Sequence, residues 1–247
     1  MHNDPFQDRT ILVTGASRGL GRAVSEALVA RGAHVVAVAR DAAALDRLRA
    51  ETAPTLRGIV ADLGQPEAVD ALAEAVADLP LCGVINNAGV QHEMQLVPGQ
   101  DAQTAQIDAE IAVNLSAPIR LTQRLLPALA AAPQGFVCNV TSGLALAPKT
   151  GAPVYCATKA GLRSFTRALR YQAALDAPDL LINEVLPALV ETDMTRGREA
   201  PKDAPEAVAG AILDGLAARR PETWVGKARL LRRLYGISPA LVARILR

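Results

Sequence analysis

The 247-residue sequence has few aromatic residues, few cysteines and little net charge. Aromatic residues make up only 3% of the chain, so Ala, Leu and Val must fill most of the core. The three cysteines, Cys82, Cys138 and Cys156, are far apart and odd in number, which argues against a disulfide framework and against a metal site. A net charge of +1 argues against general nucleic-acid binding. Without a signal peptide or a bilayer-length apolar run, the sequence predicts a cytoplasmic protein.

What the sequence does have is a regular alternation of strand and helix patterns. Strands are predicted at 10–14, 34–39, 56–61, 81–86, 135–141, 180–186 and 222–226. Helices are predicted around 19–30, 42–51, 66–77, 101–131 (broken), 154–173 and 205–219. Such alternation implies right-handed βαβ crossovers and an α/β fold, a doubly wound, Rossmann-like sheet of seven parallel strands with helices on both faces. The length suits a single domain over 1–247.

A glycine-rich turn near the N-terminus follows the first predicted strand and opens a helix. There the glycines let the backbone approach a pyrophosphate, and the free N–H groups and the helix dipole favour an anion. The spacing is GxxxGxG rather than the commoner GxGxxG, and glycines also occur in turns that bind nothing. Because the turn directly follows a strand, the sequence predicts a dinucleotide site at Gly15, Ser17, Arg18, Gly19, Leu20 and Gly21.

A second motif is Tyr155-Cys-Ala-Thr-Lys159 in the predicted helix 154–173. Residues four apart on a helix share a face, so the phenol and the ammonium are expected to be neighbours. An ammonium beside a phenol favours the phenolate, which lets the Tyr exchange a proton with a substrate oxygen near neutral pH. The alternative is a half-buried core Tyr155 and a solvated Lys159 with no chemical role.

These two motifs belong to a longer series whose order along the chain is typical of a known family. TGASRGLG (14–21), ADL (61–63), NNAG (86–89), AVNLSAP (112–118), Ser142, YCATK (155–159) and PALVET (187–192) follow one another along the chain. Over residues 8–226 the chain therefore resembles the short-chain dehydrogenases/reductases. The runs NNAGVQHE, VTSGLA and PVYCATKA further resemble the bacterial DltE-type subgroup.

The resemblance implies an enzyme that transfers hydride between a nicotinamide cofactor and a carbonyl or secondary alcohol. Its catalytic group would be Asn114, Ser142, Tyr155 and Lys159. Tyr155 would be the general acid or base, and Ser142 would orient the substrate oxygen. Lys159 would favour the phenolate and bind the nicotinamide ribose, while Asn114 would hold a water that connects Lys159 to solvent.

The resemblance also implies further cofactor contacts outside the glycine turn. These are Asp62, Leu63, Asn87, Gly89, Val190 and Thr192. Asp62 would bind the adenine amino group, although it could also cap the helix after Gln65. Ala188 replaces the glycine of the family's Pro-Gly, so either Ala188 is strained at positive φ or the loop follows a different path.

The end of the second predicted strand decides between NAD and NADP. The position that matches the family's NAD-selecting acid is Ala39, so that acid is absent. Arg40 follows it and Arg18 lies in the glycine turn, where both could form forked hydrogen bonds to a 2′-phosphate. The alternative is a surface Arg40 paired with Asp41. We expect NADP(H) as the cofactor, with NAD less favoured.

Substrate contacts are expected from three loops, at 91–98, 144–154 and 193–204, the last either as a lid over the cofactor or as an ordinary solvated connector. His92 and Glu93 in the first loop are expected to shape the pocket rather than to catalyse. Helices 101–131 and 154–173 carry small residues and are expected to form a homodimer or homotetramer, as the family often does; the alternative is that these small residues pack on the sheet.

The segment 228–247 is a basic amphipathic extension beyond the predicted sheet. Arginines alternate there with leucines and isoleucines, a pattern that suits either an anionic membrane surface or a helix packed on its own subunit. We expect packing on the protein, with membrane contact as the alternative.

Two other functions compete with the oxidoreductase. One is a catalytically silent NADP-binding sensor or scaffold, which the intact Tyr155 and Lys159 disfavour. The other is an epimerase or dehydratase that uses the cofactor transiently, which usually needs a longer substrate domain than this chain offers.

Overall fold

The computed structural model describes residues 4–52, 55–97, 103–197 and 199–246. The strands are β1 (Thr10–Thr14), β2 (His34–Ala39), β3 (Leu56–Val60), β4 (Leu81–Asn86), β5 (Phe136–Val140), β6 (Leu181–Leu186) and β7 (Glu222–Trp224). The helices are α1 (Gly19–Ala30), α2 (Ala42–Glu51), α3 (Pro66–Ala75), α4 (Thr104–Ile111), α5 (Ala117–Ala131), α6 (Pro153–Asp176), α7 (Pro205–Ala217), α8 (Ala228–Ile237) and α9 (Pro239–Leu246).

The strands form one parallel sheet in the order β3-β2-β1-β4-β5-β6-β7. The chain starts near the middle, winds outward to β3, and then returns to β4 beside β1 before it continues to β7. The predicted doubly wound fold is therefore confirmed. The direction of winding reverses between β1 and β4, and a sheet of this kind binds its ligands at that point, beyond the carboxyl ends of the strands.

The two faces of the sheet bury separate apolar cores because side chains alternate along each strand. In β1, Ile11 and Val13 contribute to the core beneath α1, α2 and α7, whereas Leu12 contributes to the core beneath α3, α5 and α6. In β5, Val137 likewise faces the second core and Cys138 the first. Helices cover both faces, which leaves the strand ends as the place where polar side chains gather.

The predicted bounds differ from the structure at a few element ends. Helix α6 continues to Asp176, three residues beyond the prediction, and the N–H of Ala177 that follows it still donates to the carbonyl oxygen of Ala173 at 2.9 Å. Strand β7 ends at Trp224 instead of residue 226, and Gly226 then turns the chain with a φ of +59°. The predicted break in helix 101–131 is a π-helical turn at Ala112–Ser116, between α4 and α5. Residues 101 and 102 lie outside the described part.

No helix within the described ranges is both long and apolar enough to cross a bilayer. The prediction of a single domain over 1–247 stays a prediction.

Candidate active site

A cavity of about 1320 Å³ opens beyond the carboxyl ends of the strands. Its volume exceeds the roughly 300–1,000 Å³ of typical ligand pockets, so it has room for a large cofactor together with a second molecule. The residues that directly follow β1, β2, β4 and β6, Gly15, Arg40, Asn87 and Pro187, all line it. The parallel sheet thus brings together side chains that are far apart in the sequence.

The glycine turn forms one wall of the cavity, and its shape suits a bound phosphate. Gly19 has a φ of +52°, and a β-carbon there would lie 2.9 Å from Cγ2 of Thr192 on the opposite loop. A β-carbon on Gly21 would lie 2.1 Å from the carbonyl oxygen of Gly15, so only glycine fits. The N-terminus of α1 has no side-chain cap and no acidic residue in its first turn. Its N–H groups are therefore available to an anion, and the turn fits the phosphates of a dinucleotide.

Asn87 fixes the glycine turn to the neighbouring strand. Its side-chain Nδ2 donates to the carbonyl oxygen of Thr14 at 3.0 Å and to that of Gly15 at 3.4 Å. The hydroxyl of Thr14 in turn accepts from the backbone N–H groups of Asn87 and Ala88, both at 3.0 Å. These bonds join the ends of β1 and β4 where the winding reverses.

The end of β2 carries the residues that were expected to select the cofactor. Ala39 is buried and Arg40 is exposed at the cavity. The pairing of Arg40 with Asp41, weighed from the sequence, is not found, because the Asp41 carboxylate instead accepts from the N–H of Ala44 and caps α2 at 3.0 Å. Arg47, on the next turn of α2, also lines the cavity. Sequence reasoning missed it, although the spacing from Ala44 places it on the same helix face.

Arg18 also lines the cavity, in a different setting from that of Arg40. Its guanidinium is exposed and forms an ion pair with Asp193 at 3.6 Å, and Asp193 also pairs with Arg196. An exposed pair of this kind is weak, so a bound phosphate can compete for Arg18.

Asp62 and Leu63 follow β3 and also line the cavity. The idea that Asp62 also caps α3 is wrong, because the N-cap position is Gln65, which provides no side-chain hydrogen bond. Asp62 instead stabilises the turn before the helix, where its carboxylate accepts from the N–H of Gly64 at 3.1 Å. A turn that includes Asp62 therefore separates the end of β3 from the start of α3.

Tyr155 and Lys159 lie one turn apart on α6 and both line the cavity. The Lys159 Nζ lies 5.7 Å from the centroid of the Tyr155 ring and donates to the carbonyl oxygen of Val140 at 2.8 Å. Both side chains are buried, and burial lowers the pKa of Lys159 to about 8. The alternative of a solvated Lys159 is therefore wrong. Burial also raises the pKa of the neighbouring Cys156 thiol, which disfavours a thiolate there.

Ser142 follows β5 at the same end of the sheet. Its Oγ accepts from the N–H of Leu144 at 3.1 Å and starts a short 3₁₀ helix at Gly143–Ala145. The preceding Thr141 donates to the buried carboxylate of Glu184 at 2.7 Å, which ties the end of β5 to β6. Ser142 therefore faces the cavity from a firmly held strand end.

Asn114 lies in the π-helical turn and does not line the cavity itself. Its amide pairs with the backbone of Val90, accepting from the N–H and donating to the carbonyl, both at 2.8 Å, and it reaches Thr158 of α6 at 3.3 Å. A β-carbon on Gly89 would lie 3.3 Å from Asn114 Oδ1 and 3.7 Å from Lys159 Nζ. Gly89 thus keeps open a small space between Asn114 and Lys159.

The loop after β6 closes the far side of the cavity. Val190 and Thr192 both line it, and Thr192 starts a 3₁₀ turn at Asp193–Thr195 with a reciprocal pair of hydrogen bonds to Thr195. Ala188 does not adopt a positive φ, so the loop takes an unstrained path in place of the family's glycine turn. Residue 198 of the predicted lid lies outside the described part, and the lid itself stays a prediction.

His92 and Glu93 lie outside the residues that line the cavity. The N–H of His92 donates to the fully buried carboxylate of Glu110 at 2.5 Å, and burial raises the pKa of that carboxyl. Glu93 is exposed and pairs with Lys149 at 3.4 Å. The expectation that they shape the pocket is therefore wrong: His92 and Glu93 are held by Glu110 and Lys149 and support the loop from outside the cavity. Residue 98 at the end of the predicted loop 91–98 lies outside the described part.

The C-terminal segment contributes to the cavity in a way that the sequence did not suggest. Leu230, Leu231 and Leu234 of α8 line its outer part. The helix packs on its own chain, with Ala228 buried. The side chains of residues 241 and 245–247 lie outside the description, and membrane contact stays an open alternative.

Together these features define a class of protein. A doubly wound parallel sheet, a phosphate-binding turn after β1 and a buried Tyr–Lys pair over the same cavity are typical of a dinucleotide-dependent oxidoreductase. Among the described residues, no cluster of His, Cys, Asp and Glu is arranged to hold a metal ion.

Comparisons with known proteins give the family. The family model for short chain dehydrogenases matches residues 9–203. L-xylulose reductase of Caenorhabditis elegans is 36% identical over 198 residues, which cover 78% of this chain and 76% of that protein. The oxidoreductase DltE of Bacillus subtilis is 33% identical over 191 residues, covering 76% of this chain and 74% of that protein.

The fold agrees with a solved structure. A short chain dehydrogenase from Burkholderia cenocepacia in complex with NADP is 28% identical, covers 98% of this chain and 99% of its own, and superposes with a TM-score of 0.84. The chain belongs to the short-chain dehydrogenase/reductase family and is an oxidoreductase of that family.

Proposed function

We propose that the protein transfers hydride between NADP(H) and a carbonyl or secondary alcohol, with Tyr155 as the general acid or base. The observation that carries this proposal is the buried pair of Tyr155 and Lys159, which faces the same cavity as the glycine turn. A buried ammonium 5.7 Å from the phenol ring favours the phenolate form. Burial of an amine is unfavourable because desolvation opposes its charge, so a buried Lys159 beside Tyr155 supports a chemical role for the pair.

Residues on both sides of the winding reversal would hold the cofactor. The glycine turn and the N-terminus of α1 would bind its phosphates, and Asp62 and Leu63 would bind the adenine end. Asn87 and Gly89 would contribute from the end of β4, and Val190 and Thr192 of the loop after β6 would contact the nicotinamide. When bound, the cofactor supplies or accepts the hydride.

The preference for NADP rests on charge at the end of β2. Ala39 offers no carboxylate to a ribose 2′-hydroxyl, whereas Arg40 and Arg47 are exposed at the same part of the cavity. Arg18 lines the cavity from the glycine turn. Exposed guanidinium groups at one cavity suit a 2′-phosphate. The related Burkholderia structure contains NADP, which supports the same choice.

The protein's own groups carry the proton. During reduction Tyr155 donates its phenolic proton to the substrate oxygen, and during oxidation it accepts that proton. Ser142 orients the same oxygen by a hydrogen bond. Lys159 stabilises the phenolate and hydrogen-bonds the nicotinamide ribose. The space that Gly89 leaves between Asn114 and Lys159 suits the water through which the proton reaches solvent.

Replacement of Tyr155 by Phe tests the proposal. We expect turnover of NADPH with a panel of ketones and aldehydes to fall by about 100-fold or more, because the general acid is lost. NADPH affinity should stay within a few-fold, since the glycine turn is unchanged. Tyr171→Phe is the matched control, because Tyr171 lies on the same helix but is 63% exposed and away from the cavity.

Retained turnover in Tyr155→Phe would exclude the mechanism. NADPH binding by the native protein without turnover of any substrate would favour the sensor, and inversion of a stereocentre without net consumption of NADPH would favour the epimerase.

We also propose a cytoplasmic homodimer or homotetramer that assembles through α4, α5 and α6. Exposed apolar side chains on these helices support the assembly, namely Ile111 of α4 and Leu175 of α6. Three buried free thiols suit a reducing compartment. Light scattering after gel filtration tests the assembly, and a monomer at micromolar concentration would contradict it.

A further inference from the structure

Helix α8 forms a wall of the cavity on the side of Ser142. Leu231 and Leu234 follow Leu230 by one and four positions, so the three leucines share a helix face. All three line the cavity. Cδ2 of Leu231 lies 3.0 Å from the place that a β-carbon of Gly143 would occupy. Because Gly143 directly follows Ser142, this leucine face lies beside the proposed reaction site.

Stacked side chains fix α8 in this position. The guanidinium groups of Arg232 on α8 and Arg163 on α6 lie 5.2 and 5.4 Å from the centroid of the Trp224 ring. Arg229 Nε also donates to the carbonyl oxygen of Trp224 at 2.8 Å. Arg163 is one turn beyond Lys159 and is itself held by the buried Glu184 at 2.7 Å. The wall is thus tied to the helix that carries Tyr155 and Lys159.

The wall leaves apolar side chains in contact with water. Leu230 is 57% exposed and yet lines the cavity, and Met194 of the loop after β6, which is 39% exposed, lines it from another element. Single exposed apolar residues are common on protein surfaces. Here two exposed apolar side chains, Leu230 and Met194, line one cavity from separate elements. Together they form a surface that an apolar ligand would cover.

We propose that α8 selects carbonyl or alcohol substrates with an apolar chain, which lies against Leu230, Leu234 and Met194. This inference rests on the proposed function, because it assigns the substrate class of the same site. An apolar chain gains free energy with each methylene that the wall removes from water, so chain length should govern recognition.

Leu230→Ser and Ile237→Ser form a matched pair for the test. Ile237 lies on the same helix, is 81% exposed and does not line the cavity, so both substitutions remove an exposed apolar side chain. In a series of straight-chain methyl ketones, kcat/KM of the native protein should rise by up to about fourfold for each added methylene. Leu230→Ser should flatten this rise, and Ile237→Ser should leave it unchanged.

Binding can be measured separately from turnover. Trp224 is the single tryptophan and lies beneath α8, so its fluorescence reports on ligands at the wall. In Tyr155→Phe, the Kd for the ketones should fall with chain length, and adding Leu230→Ser should weaken this dependence.

The outcomes separate the two proposals. Efficient turnover that does not depend on chain length, or equal effects of Leu230→Ser and Ile237→Ser, would overturn the wall and leave the proposed function standing. Binding that strengthens with chain length but leads to no turnover would support the wall and contradict the proposed function. Absence of both binding and turnover would overturn the wall.

Discussion

Removal of the Lys159 charge should change how the stability of the protein depends on pH. Burial lowers the pKa of Lys159 from 10.5 to about 8. A difference of one pKa unit corresponds to about 1.4 kcal/mol. The charged amine therefore costs the native state about 3 kcal/mol wherever both the folded and the unfolded chain are protonated, which is below about pH 8.

The sign of the effect follows from proton binding. Between about pH 8 and pH 10.5 the unfolded chain keeps its proton on Lys159 while the folded chain loses it. The unfolded state then binds more protons, so stability rises with pH through this window. In Lys159→Met this contribution is absent. The free energy of unfolding of the native protein, relative to the variant, should therefore rise by about 2–3 kcal/mol from about pH 7 to about pH 10.

Urea denaturation of both proteins at several pH values measures this difference. Other groups that titrate in the same range cancel when the two unfolding free energies are subtracted. The variant also loses the hydrogen bond from Lys159 to the Val140 carbonyl at 2.8 Å, which is worth roughly 1–3 kcal/mol. Because that loss does not depend on pH, it shifts the difference in unfolding free energy between the two proteins by a constant. The change of this difference with pH therefore still tests the prediction.

Lys227→Met provides the control, because Lys227 is exposed and its loss removes a lysine without relieving burial. Its stability should follow the native pH dependence. A difference between native protein and Lys159→Met that stays flat from pH 7 to 10 would refute the reasoning, since it would mean that water reaches the amine. At neutral pH the native lysine is still about nine-tenths protonated, so the fold keeps a charge that destabilises it.

Two other predictions concern the cofactor cradle. Arg40→Asp should lower the NADP/NAD ratio of kcat/KM by about tenfold or more through loss of a charge-assisted hydrogen bond. Arg49→Asp, on the following helix α2 but outside the cavity, is the control, and an unchanged ratio in Arg40→Asp would contradict the assignment. Gly21→Ala should lower the free energy of unfolding by about 1–3 kcal/mol and weaken NADPH binding, because the new β-carbon would lie 2.1 Å from the Gly15 carbonyl oxygen. Gly210→Ala in α7, where nothing lies within 4 Å, should instead stabilise by about 0.5–1 kcal/mol in the same thermal or urea unfolding measurement, and equal effects of the two substitutions would contradict the steric argument.

The sequence predicted most of the sheet because its strands are buried on both faces. The runs at 10–14, 34–39 and 81–86 are short and mostly apolar, each is followed by a polar or glycine residue, and the observed strands have the same bounds. Since parallel strands end at one edge, the motifs that follow them had to meet there. Gly15, Asn87 and the other predicted residues at the strand ends could thus be placed from local patterns alone.

Contacts between distant segments could not be predicted in this way. The capping of α2 by Asp41 depends on the position where the strand before it ends, and it leaves Arg40 without the partner that sequence proximity suggested. The stack of Arg163 and Arg232 on Trp224 joins two helices and a strand that no local pattern relates. Burial of Lys159 likewise depends on β5, because the Val140 carbonyl oxygen accepts a hydrogen bond from the Lys159 amine.

The same contrast explains why the cofactor half of the site was predictable and the substrate half was not. The cofactor turn can fold only if residue 21 is glycine, because a β-carbon there would lie 2.1 Å from the Gly15 carbonyl oxygen, so the requirement is visible in the sequence. An apolar chain requires only area, which any leucine on a helix can supply. In the sequence, Leu230 and Leu234 therefore cannot be told from leucines that only pack in a core. The structure shows that their helix lines the same cavity as Ser142. Substrate choice in this protein is expected to depend on the residues whose types are least restricted, so it can change by substitutions in α8 that leave the cofactor cradle and the Tyr155–Lys159 pair intact.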